Sequence, residues 1–189
     1  MKDESGKSRF ALTQIAAIGV FSAIVFVMNY LQIPVPLATG NTRIHLGNAM
    51  CLLAGFVLGP VGGGLAAGIG SELYDLLLGD FIFIPFYFVF KFLMAFAGAG
   101  FARLLEKESV RPTTAYVAGA SVGQLLYLVL HLCCMAFFFD AYLNHLPVET
   151  VVVNLVSRLL SSGFNAVIAV IGSTLLGGLL VPVYQKIRR

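Results

Sequence analysis

Four long stretches of this chain carry no ionisable Asp, Glu, Lys or Arg: residues 10–42, 44–71, 112–139 and 159–185. Each is mostly apolar, and a helix crossing about 30 Å of hydrocarbon needs about 20 such residues. With 59% hydrophobic and 11% charged side chains in 189 residues, the chain lacks the polar surface that a soluble domain of this size must present. The expected fold class is therefore an all-α integral membrane protein, organised as a single transmembrane domain over residues 1–189.

Six spans are expected, at about 10–31, 45–59, 61–78, 84–104, 113–138 and 150–183. An unbroken helix over 45–78 would be about 50 Å long, more than the membrane needs, so a turn is placed at Gly59-Pro60. The glycines next to Pro60 are read as part of that turn, and Gly64, Ala67, Gly68 and Ser71 as a thin face of the next helix. The polar start MKDESGKSR precedes an apolar run longer than a cleavable signal core, so the first helix is expected to be retained.

Orientation follows from the basic residues. With both termini inside, Lys2, Lys7, Arg9, Arg103, Lys107, Arg111, Lys186, Arg188 and Arg189 all fall on the cytoplasmic side, and only Arg43 lies in an outer loop. Lys91 and Arg158 remain, each inside a span. A charge there is costly and normally meets a partner or a water-filled cavity. Lys91 has two readings: an ion pair with Glu72 or Asp75, or a cavity-facing group. Arg158 is poised between an acid at an outer end and a cavity, with Asn154 one turn away on the same face.

A second polar cluster sits in LQIPVPLATGNTRIH, residues 31–45, which cannot continue the first helix and reads as an ordered or gating loop. Asn41, Arg43, His45 and Asn48 lie at its end and in the next helical turn. They are either a solvated loop with a helix start or a lid over a ligand, where Tyr87, Tyr127, His131, Asn154 and Arg158 would converge. Tyr127 and His131 are an i, i+4 pair. Asp80, Asp140 and His145 are read as solvated loop groups, and Cys51, Cys133 and Cys134 as small buried hydrophobes.

Enzyme signatures are missing: no G-x-S-G, no paired glutamates, no aspartate run, and no phosphate-binding G-x-x-x-x-G-K-[ST]. No catalytic residue, metal ligand set, cofactor or nucleic-acid partner is expected. Uphill transport would draw on an ion gradient or another subunit.

The stretch RIHLGNAMCLLAGFVLGPVGGGLAAGIGSELYDLL, 43–77, with FVFKFLMAFAGAG, 88–100, resembles the substrate-binding membrane subunit (S component) of energy-coupling factor (ECF) vitamin transporters. The resemblance lies in His45-Leu46-Gly47-Asn48, in Leu58-Gly59-Pro60, in the small-residue run to Asp75, and in Lys91 through Gly100. It implies capture of a vitamin or precursor outside the cell, beneath the loop between spans one and two. It further implies docking on a transmembrane coupling subunit of the EcfT type that carries two ATPase subunits, in a bacterial cell membrane. The family's small-residue docking face on span one corresponds here to Thr13 with Ala17 and Gly19 with Ala23, and small residues let helices approach closely in lipid. The same residues also suit packing within this chain.

The fold does not choose the ligand. The absence of Trp runs against the Trp-rich site of thiamine members, and the second span departs from the usual riboflavin members. Arg43, Lys91, His131 and Arg158 together would suit an anionic ligand. The rival classes are a stand-alone small-solute secondary transporter or channel, and a membrane assembly protein without a ligand.

Overall fold

The structure is a computed structural model that describes the backbone of residues 3–37 and 40–188, and side chains of residues 12–33 and 44–186. Six α-helices run in chain order: α1 Asp3–Tyr30, α2 Gly47–Leu58, α3 Pro60–Leu78, α4 Ile84–Lys107, α5 Pro112–Cys133 and α6 Val148–Arg188. Apart from α4, which carries Lys91, they overlap the charge-free stretches, as apolar runs that must satisfy their own backbone in lipid become helical. Among the described residues, four segments are long and apolar enough to cross a membrane: 12–30, 84–107, 112–143 and 148–186.

α2 departs from the expected span 45–59. At 12 residues it is about 18 Å long, too short to bridge the hydrocarbon alone. It does not need to, because every residue from Gly47 to Val57 is buried. α1, α3, α4 and α6 pack around it, with α5 touching it through a few residues. Leu52 and Cys51 of α2, Val25 of α1 and Met94 of α4 are the largest fully enclosed apolar side chains of the core.

The link between α2 and α3 is tighter than the sequence suggested. Gly59 alone makes the turn, at φ 91° and ψ 174°, a conformation open essentially to glycine. Pro60 then opens α3 at its first position, where the missing N–H costs nothing. Gly62 and Gly63 are therefore helical rather than part of the turn, and Gly64 and Gly68 lie on the helix as expected. Gly63 shows why they are tolerated: a methyl group there would collide with the backbone of Gly55 in α2, so the pair lets two helices touch main chain to main chain.

The 31–45 segment, expected as a loop, is an antiparallel hairpin: β1 Gln32–Leu37 pairs with β2 Gly40–His45, Gln32 opposite His45. Its two prolines are compatible with an isolated two-stranded ribbon, where each strand is an edge. After α5 the helix widens into a π-helical stretch, Cys134–Leu143. Cys51 is buried as expected, whereas Cys133 is exposed on the outside of α5.

Candidate ligand-binding site

Between the base of the hairpin and the helix ends lies a cavity of about 450 Å³, lined from α1, the hairpin, α3, α4, α5, the π-helical stretch and α6. Its wall holds Asn29, Gln32, His45, Ser71, Tyr74, Asp75, Tyr87, Lys91, Tyr127, His131, Met135, Ser161, Ser162 and Asn165. Apart from Met135, every one of these side chains carries a polar group. Such a chamber inside an apolar bundle is the arrangement expected of a small-molecule site. A smaller concavity of about 290 Å³ opens at the other end of α2, between Gln14, Leu58, Gly59, Arg103 and Tyr184. It lacks this convergence of polar groups.

Lys91 is the chemical centre of the chamber. It is buried on α4, donates a hydrogen bond to Asn48 Oδ1 on α2, and holds its ammonium 4.3 Å from the centroid of the Tyr127 ring. Asn48 passes the network on, its amide donating to Gln124 Oε1 at 3.4 Å on α5. Thus three helices are tied through one lysine. Glu72, one of the two acids expected to pair with Lys91, does not do so: neither of its carboxyl oxygens has a hydrogen-bond partner among the described residues. A cation held by an amide and an aromatic face retains donor capacity for a third group.

The aromatic side of the chamber is a row of rings. Tyr127 and His131 stack almost parallel, with centroids 5.6 Å apart and planes at 10°, as their i, i+4 spacing requires. Tyr87 of α4 approaches His131 at 5.7 Å and donates its hydroxyl to Met135 Sδ at 3.6 Å. The opposite side is amide-rich. Gln32 Nε2 donates to the Tyr74 hydroxyl at 2.6 Å, Asn29 Nδ2 donates to Ser71 Oγ at 3.5 Å, and the His45 backbone N–H donates to Asn165 Oδ1 at 3.3 Å. The last two bonds fasten α1 to α3 and the hairpin to α6.

Of the residues singled out from sequence, His45, Tyr87, Lys91, Tyr127 and His131 line the chamber, and Asn48 holds Lys91 from behind. Asn41 and Arg43 lie outside the described side chains. Asn154 and Arg158 are not among the residues that line the chamber. Arg158 is locked to Asp140 by two hydrogen bonds, Nη1 to Oδ2 at 2.6 Å and Nη2 to Oδ1 at 3.1 Å, and Asn154 Nδ2 adds a third at 3.2 Å. Asp140 is accordingly 3% exposed and no solvated loop group. The π-helical stretch carries it inward, where a buried carboxylate demands such partners. The amides and hydroxyls at 29, 32, 161, 162 and 165 were not singled out.

On α1, Ser22, Val25 and Asn29 are buried against the bundle, while Thr13, Gly19 and Ala23 are exposed and Ala17 is half-buried. Nothing lies within 4 Å of the position a Gly19 side chain would take. Of these four small residues, Thr13, Gly19 and Ala23 thus point away from the chain's own helices.

Several long apolar helices enclosing a polar chamber define a multi-pass membrane protein of the transport class. Residues 9–185 match the family described as "ECF-type riboflavin transporter, S component". The chain belongs to that family of transporter subunits. Among curated proteins it is similar to the UPF0397 protein of Streptococcus pneumoniae serotype 19F (strain G54) and to its counterpart in strain 70585. Each is 34% identical over 71 residues, which is 38% of this chain and 38% of the relative. The aligned segment thus spans well under half of those relatives, whose name specifies no ligand.

Proposed function

We propose that this chain captures an uncharged or weakly charged vitamin, or a vitamin precursor, on the outer side of a bacterial cell membrane. It delivers that ligand inward when docked on a transmembrane coupling subunit bearing two ATPase subunits. In this reading the six helices occupy the membrane with both termini in the cytoplasm, and the hairpin is the outer lid. His45, Tyr87, Lys91, Tyr127 and His131 face the ligand together with Asn29, Gln32, Ser161 and Asn165. Asn48 and the Asp140–Asn154–Arg158 cluster hold the surroundings in place. The observation that carries the reading is the polar chamber itself, lined at its rim by Gln32 and His45 from facing positions of the two strands.

Docking is assigned to the face of α1 that carries Thr13, Gly19 and Ala23, with Ala17 at its edge. That face is open, and its small residues, interleaved with exposed Leu12, Val20 and Val27, leave places for close helix approach in lipid. The name of the matched family suggests riboflavin as the first ligand to try. The test is purification in detergent without added vitamins, followed by mass spectrometry of whatever co-purifies and a thermal-shift panel of vitamins. A retained small molecule and a matching stabilisation are expected. A preparation free of ligand and unmoved by the whole panel overturns the reading.

A further inference from the structure

The joint between the hairpin and α2 is built around one imidazole. Gly47, the first residue of α2, donates its backbone N–H to His45 Nδ1 at 3.2 Å. A ring nitrogen that accepts from an N–H carries no proton, so the imidazole is neutral and its proton sits on Nε2. The bond also answers one of the donors that a helix leaves open at its start, where the side chain of Leu46 supplies no cap.

Gly47 is a fixed point. It is buried, and a methyl group on it would collide with the Asn29 carboxamide, so the start of α2 is seated directly on α1. His45 ties the ribbon to that point. The same residue faces Gln32 across the two strands, gives its backbone N–H to Asn165 of α6, and lines the chamber. Gln32 in turn holds Tyr74 of α3.

A proton undoes the joint. An imidazolium carries N–H on both nitrogens, so Nδ1 turns from acceptor to donor and confronts another donor, the Gly47 N–H. The new charge also sits at a helix N-terminus, where the backbone dipoles already present positive charge. The ionisable groups that share the chamber wall with His45 are Tyr74 and Asp75 of α3, Tyr87 and Lys91 of α4, and Tyr127 and His131 of α5. Arg43 is the other ionisable residue of β2, and the first turn of α2 has none. On the wall, α1 and α6 contribute only amides and hydroxyls. Asp75 favours the imidazolium and Lys91 disfavours it, but neither alters what Nδ1 can offer to Gly47.

We propose that His45 is a proton-operated latch: while its ring is neutral it holds the hairpin down over the chamber, and when the ring gains a proton the hairpin lifts. Closure is therefore complete where the imidazole is neutral and is lost as the pH falls through the range in which histidines charge, about 5 to 8. The inference rests on the transport reading for calling the chamber a ligand site, and it adds a control to that reading: firm capture in neutral surroundings and a slackened hold in acidic ones.

Hydrogen exchange on the purified full chain in detergent, with no ligand added, reads the latch. Exchange is followed by mass spectrometry in hairpin peptides, with α4 peptides as the reference, at about pH 7.5 and about pH 5, each corrected for the intrinsic rate at that pH. The hairpin is expected to open about tenfold more at the lower pH, from one lost hydrogen bond and one misplaced charge, while α4 holds steady. His45→Asn offers an acceptor in place of Nδ1 that does not titrate, so the hairpin should stay closed at both pH values. His45→Ala should leave it open at both. The chain's other two histidines are His131 and His145, and the double variant His131→Asn with His145→Asn should keep the wild-type response. A wild-type hairpin indifferent to pH, an equal rise in α4, a response that survives in His45→Asn, or one lost in the double variant overturns the latch. The readout needs no ligand, so each of those outcomes leaves the transport reading standing, which falls only on the vitamin panel and the co-purification.

Discussion

Arg158 and Asp140 meet through two hydrogen bonds on parallel atoms, 2.6 and 3.1 Å long, with the carboxylate side chain 4% and the guanidinium 26% exposed. The pairing joins α6 to the π-helical stretch and withdraws an arginine that would otherwise serve an anionic ligand. Breaking one partner strands the other, which costs more than removing both. Asp140→Asn is expected to lower unfolding stability by about 2 kcal/mol, discounted for the partly exposed arginine. Thermal unfolding in detergent measures it, and the double variant Asp140→Asn with Arg158→Met should recover part of the loss.

Lys91 behaves oppositely if it serves the ligand. Removing a lone buried ammonium relieves its desolvation cost, which offsets the hydrogen bond that Asn48 Oδ1 loses. Lys91→Met is therefore expected to shift the melting temperature little while weakening ligand binding at least about tenfold, the worth of one charge-assisted hydrogen bond. A variant that loses both folding and binding would assign the lysine to structure alone.

The open face of α1 separates docking from capture. Gly19→Leu and Ala23→Leu introduce bulk where the chain itself has room, so folding and ligand affinity should hold. Co-purification with the coupling and ATPase subunits should fail. Survival of the complex with both changes would move the docking face elsewhere.

Gly59→Ala tests the inner turn. A side chain at φ 91°, ψ 174° is strained by about 1–3 kcal/mol, and the new methyl would also press on the Arg103 guanidinium. The expected result is a clear drop in melting temperature with ligand affinity little changed, since Gly59 lies at the end of α2 away from the chamber.

Much of this architecture is legible in the sequence because charge is so expensive in a membrane. The uncharged runs place every helix but α4, and Lys91, as a charge within that span, leads directly to the chamber. The hairpin is not legible, because Pro34 and Pro36 argue for irregular backbone until an isolated two-stranded ribbon is known to leave them unpaired edges. Residues 161, 162 and 165 were within reach: with 154 and 158 they follow the i, i+4, i+7, i+8, i+11 stripe of a single helix face. Asn29 likewise sits seven residues after Ser22, both buried. Isolated polar groups in apolar runs stay ambiguous until the neighbouring helices are placed. Asp140 was misread because nothing local announces the π-helical widening that turns it inward.

The enclosure of α2 has a consequence for how such a chain can change over time. A helix sealed on every side and shorter than the membrane has no free surface on which substitutions accumulate quietly. Novelty has to enter at the rim, through β1, β2 and the hydroxyl-bearing face of α6, while the central helix stays as a fixed keel beneath a changeable mouth.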